Sequence, residues 1–348
     1  MNSREIKFRY DLLSKYEMKI GEITSVKGSV SLNSLAEIKR TGRFTISEVE
    51  ARDIDFLNDR LRPVVIIDNK EYRLGTFLLP SPTRKTQNGI ITRDIEAYDV
   101  LQILKEDRIT NRLFYKKGSR YEDVVRQLVN SAGIKNVLIE RTDSVLKRDR
   151  EFEIGTSKLD VCNQLLQETN YTTLFTDHDG IVKAKRYILP NARNIEISYM
   201  ANEFDITVKD SAVDEYDLFN IPNVWVIVVS NGETDSMRAV YRNDNPADKT
   251  STVARGRNIV YYREVSDIAD QTTLNNYIKR IAYDSSNIFR KIQFDTLINP
   301  IHGYGNCIYI ENKKLGIRDK YIETMWEIPL EVGGKMRHAG RRIVLNVW

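Results

Sequence analysis

Between Ser157 and Tyr187 the chain changes its period, and that change limits what the sequence can fold into. Leu159, Cys162, Leu165 and Leu166 recur at the three- and four-residue spacing that lines one face of a helix. Ser157 stands where that helix would start. Asp160, three residues on, makes a weaker form of the reciprocal cap that satisfies the first backbone N–H groups. From Tyr171 to Phe175 the residues are strand formers, and Asp179-Gly180 tolerates the positive φ of a tight turn before Ile181-Val182 and Tyr187-Ile188 return. A helix laid on a two-stranded hairpin cannot cover its own apolar face. The unit must pack on something else, and it sits mid-chain as a divider between two strand-rich regions.

In the region before it, Lys19 to Leu32 is interrupted by Gly21 and Gly28, which predicts a bent or bulged strand. Arg43 to Ile46 is short and alternating. Val64–Ile67 and Tyr72–Leu79 flank the turn sequence Asp68-Asn69-Lys70. Asn88-Gly89 joins Pro82–Gln87 to Ile90–Ala97, the strongest short-range hairpin signal. Residues 1–98 therefore predict a β-meander curled into a barrel or sandwich. Tyr98 to Glu106 turns helical, with Val100, Leu101 and Leu104 apolar. Ser119 to Ala132 predicts a helix with a Ser119–Glu122 capping box, an apolar stripe from Tyr121 to Val129, and Gly133 as its stop. Residues 140–151 read as a charged, exposed connector, so 99–190 is a mixed α/β insert. Beyond it, Phe204, Ile206 and Val208 alternate, and Val224–Val229 and Met237–Tyr241 flank Asn231-Gly232. A helix is predicted over 270–285, where Leu274, Tyr277, Ile278, Ile281 and Ala282 fit the amphipathic template. Strands follow at Lys291–Ile298, Cys307–Glu311, Tyr321–Leu330 and Lys335–Trp348, the last two joined around Gly333-Gly334. The fold class is α+β: two antiparallel barrel-like domains, 1–98 and 191–348, flanking the insert. No residue-level repeat relates the two.

Composition narrows the partners. The chain of 348 residues has 53 basic and 49 acidic residues, interspersed, for a net charge of +4, which gives no electrostatic case for a nucleic-acid partner. Cys162 lies on the apolar helix face and far in sequence from Cys307, which predicts a buried, reduced thiol. No secretory leader is evident at the N-terminus, and no run of about 18 apolar residues encodes a membrane span.

A search for chemistry returns little. The chain has no phosphate-cradling Gly-Lys loop, no H-E-x-x-H, no paired C-x-x-C and no G-x-S-x-G. His178, His302 and His338 are far apart in sequence. Asp177-His178-Asp179 offers cation ligands, but reads better as a polar turn tip before Gly180, because Asp stabilises turns unaided. Asp210, Asp214, Glu215 and Asp217 read as a solvated acidic loop, with no apolar flank to raise a carboxyl pKa. Arg337, His338, Arg341 and Arg342 read as a basic exposed strand face. Tyr261-Tyr262-Arg263 reads as strand packing, not as a stacking platform. No catalytic, cofactor-binding or metal-binding residue is assigned, and no cofactor is expected.

Several stretches, in order along nearly the whole chain, carry a resemblance. They are Tyr72-Arg73-Leu74-Gly75-Thr76-Phe77, Glu96-Ala97-Tyr98-Asp99-Val100-Leu101, Gly118-Ser119, Ser131-Ala132-Gly133-Ile134, then Leu165-Leu166, Tyr171 and Asp179-Gly180. Gly305-Asn306-Cys307-Ile308 and Gly333-Gly334-Lys335-Met336 complete the set. The chain resembles the baseplate hub family of bacteriophage tails, in the version found in contractile phages and phage-like particles of Gram-positive bacteria. That family more often has Asp after the Gly at the position of Asn306. The resemblance implies two tail-tube-like barrels per chain. It further implies a homotrimer forming a pseudo-hexameric ring that joins the tail tube protein to the central spike protein among other baseplate proteins. DNA would pass through the lumen without specific binding. The location implied is the virion tail or a phage-like particle, after synthesis in the bacterial cytoplasm. The alternatives are a tail-tip peptidoglycan hydrolase and a host-surface-binding module. The chain stops at Trp348, which leaves no room for a hydrolase domain after the last strands, and the 18 tyrosines are spread through strand patterns.

Overall fold

The computed structural model describes residues 4–24, 26–80, 82–200, 206–209, 219–230, 236–286, 291–312 and 316–343. The acidic run at Asp210, Asp214, Glu215 and Asp217, the Asn231-Gly232 turn and the strand end 344–348 lie outside the described residues.

The protein is mostly β-sheet with a few helices. Fifteen strands form one sheet. Its main path runs from Ile206–Lys209 through Lys291–Leu297, Lys335–Arg342 and Ile317–Pro329 to Val26–Asn33. It continues through Arg40–Ser47, Ile90–Tyr98, Phe77–Leu78, Arg60–Ile67 and Ile6–Leu13 to Lys19–Ile23. The two strand-rich regions are therefore hydrogen-bonded to each other across the pairing of Ile317–Pro329 with Val26–Asn33, Trp326 opposite Leu32. The described strands trace an open path with two edges and no closed barrel.

Local chemistry explains the strands. In Arg40–Ser47 the residues Gly42, Phe44 and Ile46 point inward and alternate with more exposed ones. The two-residue turns are left-handed as expected: Asp68 and Asn69 have φ of 48° and 65°, Asn88 and Gly89 of 51° and 77°. The stretch from Lys19 to Leu32 is not one bulged strand. Lys19–Ile23 pairs with Ile6–Leu13, whereas Val26–Asn33 pairs with Arg40–Ser47, so the two halves take different partners. Gly28 is there for close approach: its φ is 137°, and a Cβ would lie 1.8 Å from the Arg43 carbonyl oxygen. Gly28→Ala is expected to cost about 2–4 kcal/mol, from strain plus overpacking. A drop in the urea midpoint at unchanged m-value would report it.

The insert packs helices Leu101–Glu106, Tyr121–Ser131 and Lys158–Glu168 around a core that includes Val125, Leu128, Leu159, Cys162 and Leu165. Its central hairpin, Phe175–Thr176 with Val182–Ala184, gains a third, parallel strand, Val137–Ile139. The Ser157 cap forms: its hydroxyl accepts from Asp160 N–H at 3.0 Å and donates to the Asp160 carboxylate at 2.6 Å. The Ser119–Glu122 capping box does not form. The N-cap position falls one residue later, at Arg120, which makes no side-chain cap, and Glu122 accepts instead from the Thr142 N–H. The reason is tertiary. The 140–151 segment docks there, its Leu146 N–H donating to the Ser119 carbonyl, and Thr142, Leu146 and Arg150 are buried. That segment is thus no exposed connector.

Among the described residues, 191–348 form two cores of their own and add Trp326, Ile328 and Met336 to the core of the first strand region. One lies between the sheet strands, around Phe294, Ile308 and Tyr321. The other is a lobe in which helix Gln271–Ser286 covers a three-stranded sheet of Met237–Arg242, Val224–Val229 and Val260–Val265, with Trp225, Leu274 and Tyr277 between them. Val224–Val229 and Val260–Val265 run parallel, as do Ile197–Tyr199 and Cys307–Asn312. Hairpin turns alone predict only antiparallel pairs, because parallel partners are joined by longer crossovers. Both cysteines are buried and free, and burial raises both thiol pKa values.

Candidate functional site

The chemistry of the chain gathers where its parts meet. The Asp177–Gly180 turn tip lies against the first strand region. The Asp177 carboxylate accepts from the N–H groups of Asp179 and Ile181 at 2.9 and 3.0 Å and sits 2.6 Å from Lys183 Nζ. Asp179 pairs with Arg73 at 3.1 Å, and a Cβ on Gly180 would come within 3.0 Å of Thr76 Oγ1. Just inside, Thr176 donates to buried Asp99 at 2.6 Å, which also accepts from the Leu101 N–H. His178 stays exposed beside Asp179, at 3.2 Å. The turn is a docking knuckle whose carboxylates are already committed to protein partners. His178→Ala should therefore change stability by no more than about 0.5 kcal/mol. Asp177→Ala should cost about 1–3 kcal/mol, because two N–H groups lose their acceptor. Thermal melts of both variants check the contrast.

Near this knuckle lies an interior cation. The Arg40 guanidinium is buried 5.1 Å above the Trp326 ring and donates to the Leu74 carbonyl at 2.8 Å, while its Nε and Nη2 have no protein partner. Burial pulls it down to about 10 and pulls neighbouring Lys39 down to about 8, both opposed by the charge of Asp99.

A second junction joins the insert to the helical lobe. Arg150 Nη1 lies 2.8 Å from Glu168 and 2.9 Å from Asp267, and Nη2 lies 2.9 Å from Glu168. Arg148 reaches Asp267 at 3.2 Å, and Tyr121 donates to Glu168 at 3.1 Å. Burial pushes the Glu168 carboxyl up, against the pull of Arg150. The backbone adds Ala269 N–H to the Glu168 carbonyl, and Arg280 donates to the Tyr171 carbonyl.

A third cluster, within the main sheet, is a buried pair of histidines sharing one carboxylate. His302 Nδ1 and His338 Nδ1 each lie 2.7 Å from a different oxygen of Glu323, and all three side chains are at most 1% exposed. His302 Nε2 faces the Tyr199 hydroxyl at 2.6 Å, and His338 Nε2 faces Thr296 Oγ1 at 2.8 Å. Phe294 stacks on His338, and Tyr199 on His302. Each Nδ1–H donates to an ionised Glu323 and each Nε2 lies at hydrogen-bond distance from a hydroxyl, while the Thr296 hydroxyl also donates to the Leu297 carbonyl at 2.8 Å, so both imidazoles and both carboxylate oxygens are engaged. Burial alone would push the Glu323 carboxyl up. The charge of His302 and the two imidazole hydrogen bonds outweigh that and hold it below 4.5. Burial lowers His338 below 6.5, only partly opposed by Glu323. The three residues also offer a conceivable ligand set for a cation. However, the imidazoles address separate carboxylate oxygens at hydrogen-bond length, which is the geometry of shared protons.

His338 therefore corrects the sequence reading of a basic exposed face. Arg337 points out toward Glu327 and Arg342 pairs with Asp319, but His338 points into the core. A signal was present: Met336, His338 and Gly340 share one face of an alternating strand. No comparable signal tied His302, in a loop, or Glu323 to it. Tyr261 packs on the lobe core, Tyr262 is exposed, and Arg263 lies 6.0 Å from the Tyr277 ring centre, as expected of strand packing.

Solved structures superpose on this architecture from end to end. A tail protein from Neisseria meningitidis matches with a TM-score of 0.66 at 12% identity, covering 97% of this chain and 96% of that one. The chain has a phage tail-protein fold. The 43 kDa tail protein of prophage MuSo2 from Shewanella oneidensis matches at TM-score 0.63 and 10% identity, over 98% of this chain and 99% of that one. A prophage tail protein from Listeria monocytogenes matches at 0.57 and 11%, over 96% and 94%. No protein-family model and no curated protein sequence matches the chain. The turn at Asp177–Gly180 ties the insert to the sheet and the Arg150 cluster ties it to the lobe, whereas the histidine pair lies within the main sheet.

Proposed function

We propose that the protein is a structural hub of a phage or phage-like tail baseplate, present as three copies in a ring between the tail tube and the central spike. The observation that carries this reading is the tail-protein fold spanning nearly the full length of both this chain and its structural neighbours. Its two strand-rich regions serve as two tube-like units per chain, so threefold symmetry presents six similar contacts to a hexameric tube. Among the described strands, Ile206–Lys209 and Lys19–Ile23 end the main path of the sheet and supply strands that a neighbouring subunit can cover. No catalytic step belongs to this reading, because the described buried carboxylates and imidazoles are engaged in structural bonds. Counting copies in an image reconstruction of the particle tests it: three on the tail axis are expected. Six copies, or a place on outer fibres, would overturn it. A cell-wall zymogram of the purified protein is expected to remain without clearing.

A further inference from the structure

We infer that the cleft where insert, lobe and sheet converge is a docking site for an acidic, partly apolar peptide segment of a partner tail protein. The cleft has a volume of about 620 Å³. Lys185, Arg186, Arg193, Arg280, Arg341 and Arg342 line it; among the described residues Glu196 and Asp284 line it with them, and Glu140 and Asp319 pair with Arg186 and Arg342 from outside the wall. Six cations against these four carboxylates leave an excess of two positive charges at one cleft, in a chain whose net charge is +4. Concentrating an otherwise balanced surface charge in a concave site focuses its field on an anion. Desolvation in the cleft, with Arg193 beside it, lowers the Lys185 pKa, so an arriving carboxylate restores what the amine lost.

The remaining chemistry selects the kind of anion. Arg193 already donates to the Gly305 carbonyl at 2.7 Å, Arg280 to the Tyr171 carbonyl at 3.0 Å, and Arg342 to Asp319 at 2.6 Å. These guanidinium forks supply field, not an open bidentate grip of the sort a phosphate uses. Between them the wall is apolar and aromatic: Leu35, Tyr187, Ile188 and Tyr304. A peptide alternating carboxylate and apolar side chains matches both features, and a bare polyphosphate matches one. That the partner is a tail protein rests on the proposed hub role; the peptide chemistry does not.

Fluorescence anisotropy with three short labelled peptides tests the site: one alternating Asp or Glu with Phe or Leu, its Asn/Gln counterpart and its Lys counterpart. The acidic peptide is expected to bind saturably, about tenfold more tightly than the neutral one, with affinity falling as salt rises. Lys185→Glu, at an exposed side chain, should weaken it about tenfold at unchanged melting temperature; Lys185→Gln gives a milder second variant. Absence of saturable binding, equal binding of all three peptides, or full retention in Lys185→Glu would overturn the proposal. So would displacement of the peptide by equimolar pyrophosphate at constant ionic strength, which would make the cleft a phosphate site. Failure here leaves the copy count in the particle unaffected, so the two readings fail separately.

Discussion

Glu323→Ala is expected to destabilise the protein by about 3–5 kcal/mol, the scale for breaking a buried, fully bonded charge cluster by removing one member. The carboxylate accepts from both buried imidazoles, so its loss leaves two Nδ1–H donors without that acceptor and opens a cavity in the cluster. Glu323→Gln should cost less, because the amide oxygen still accepts one of the two bonds. Urea unfolding at neutral pH reads both; a loss under about 1 kcal/mol for the alanine variant would mean that the cluster is not a stabilising unit.

The same cluster fixes the sign of the pH dependence. His338 is lowered in the folded state, so as pH falls below 6.5 the unfolded chain takes up a proton there before the folded one does, and stability declines. Glu323 is held below its ordinary 4.5, so its contribution is present above that value and is lost as pH falls through the folded pKa. Both act in one direction. The melting temperature is expected to fall from pH 7 toward pH 4, and to fall more steeply in Glu323→Gln, because the carboxylate that supports a proton on His338 is gone. A flat profile in the wild-type protein would contradict the assigned protonation.

Arg150→Ala is the second large expected effect, again about 3–5 kcal/mol, because Glu168 and Asp267 would face each other in the interior without the cation between them. It should also loosen one junction selectively. Hydrogen exchange is expected to quicken first in the 140–151 segment and at the start of helix Gln271–Ser286, before the main sheet opens. Replacing Arg150, Glu168 and Asp267 together by apolar residues of similar volume should recover most of the loss, since a well-packed apolar core can equal a buried ion cluster. Uniform exchange across the sheet in Arg150→Ala would show that the junction has no separate role.

Legibility from sequence followed the range of the forces involved. The Ser157 cap, the two-residue turns at Asp68-Asn69 and Asn88-Gly89, and the helix near 271–286 are set by contacts a few residues apart, and each formed as read. The Ser119 capping box failed because a segment twenty residues from Glu122 took its carboxylate for its own backbone. Residues 140–151 looked solvated because a run of charges is normally cheapest in water. Arg150 is buried only because Glu168 and Asp267 come from elsewhere to meet it. The His302–Glu323–His338 cluster was illegible for the same reason: a loop and two strands must be brought together before the hydrogen bonds exist.

What the sequence determined by itself was the α+β class, the positions of turns and helices, and the absence of a familiar catalytic motif, because periodicity and turn chemistry act within one element. Only the tertiary structure decided that both strand-rich regions share one sheet, that the lobe has its own core, and that buried polar groups meet across elements far apart in sequence. Strand register across Ile317–Pro329 and Val26–Asn33 depends on which apolar faces meet at a separation of nearly the whole chain, and no local pattern encodes that meeting.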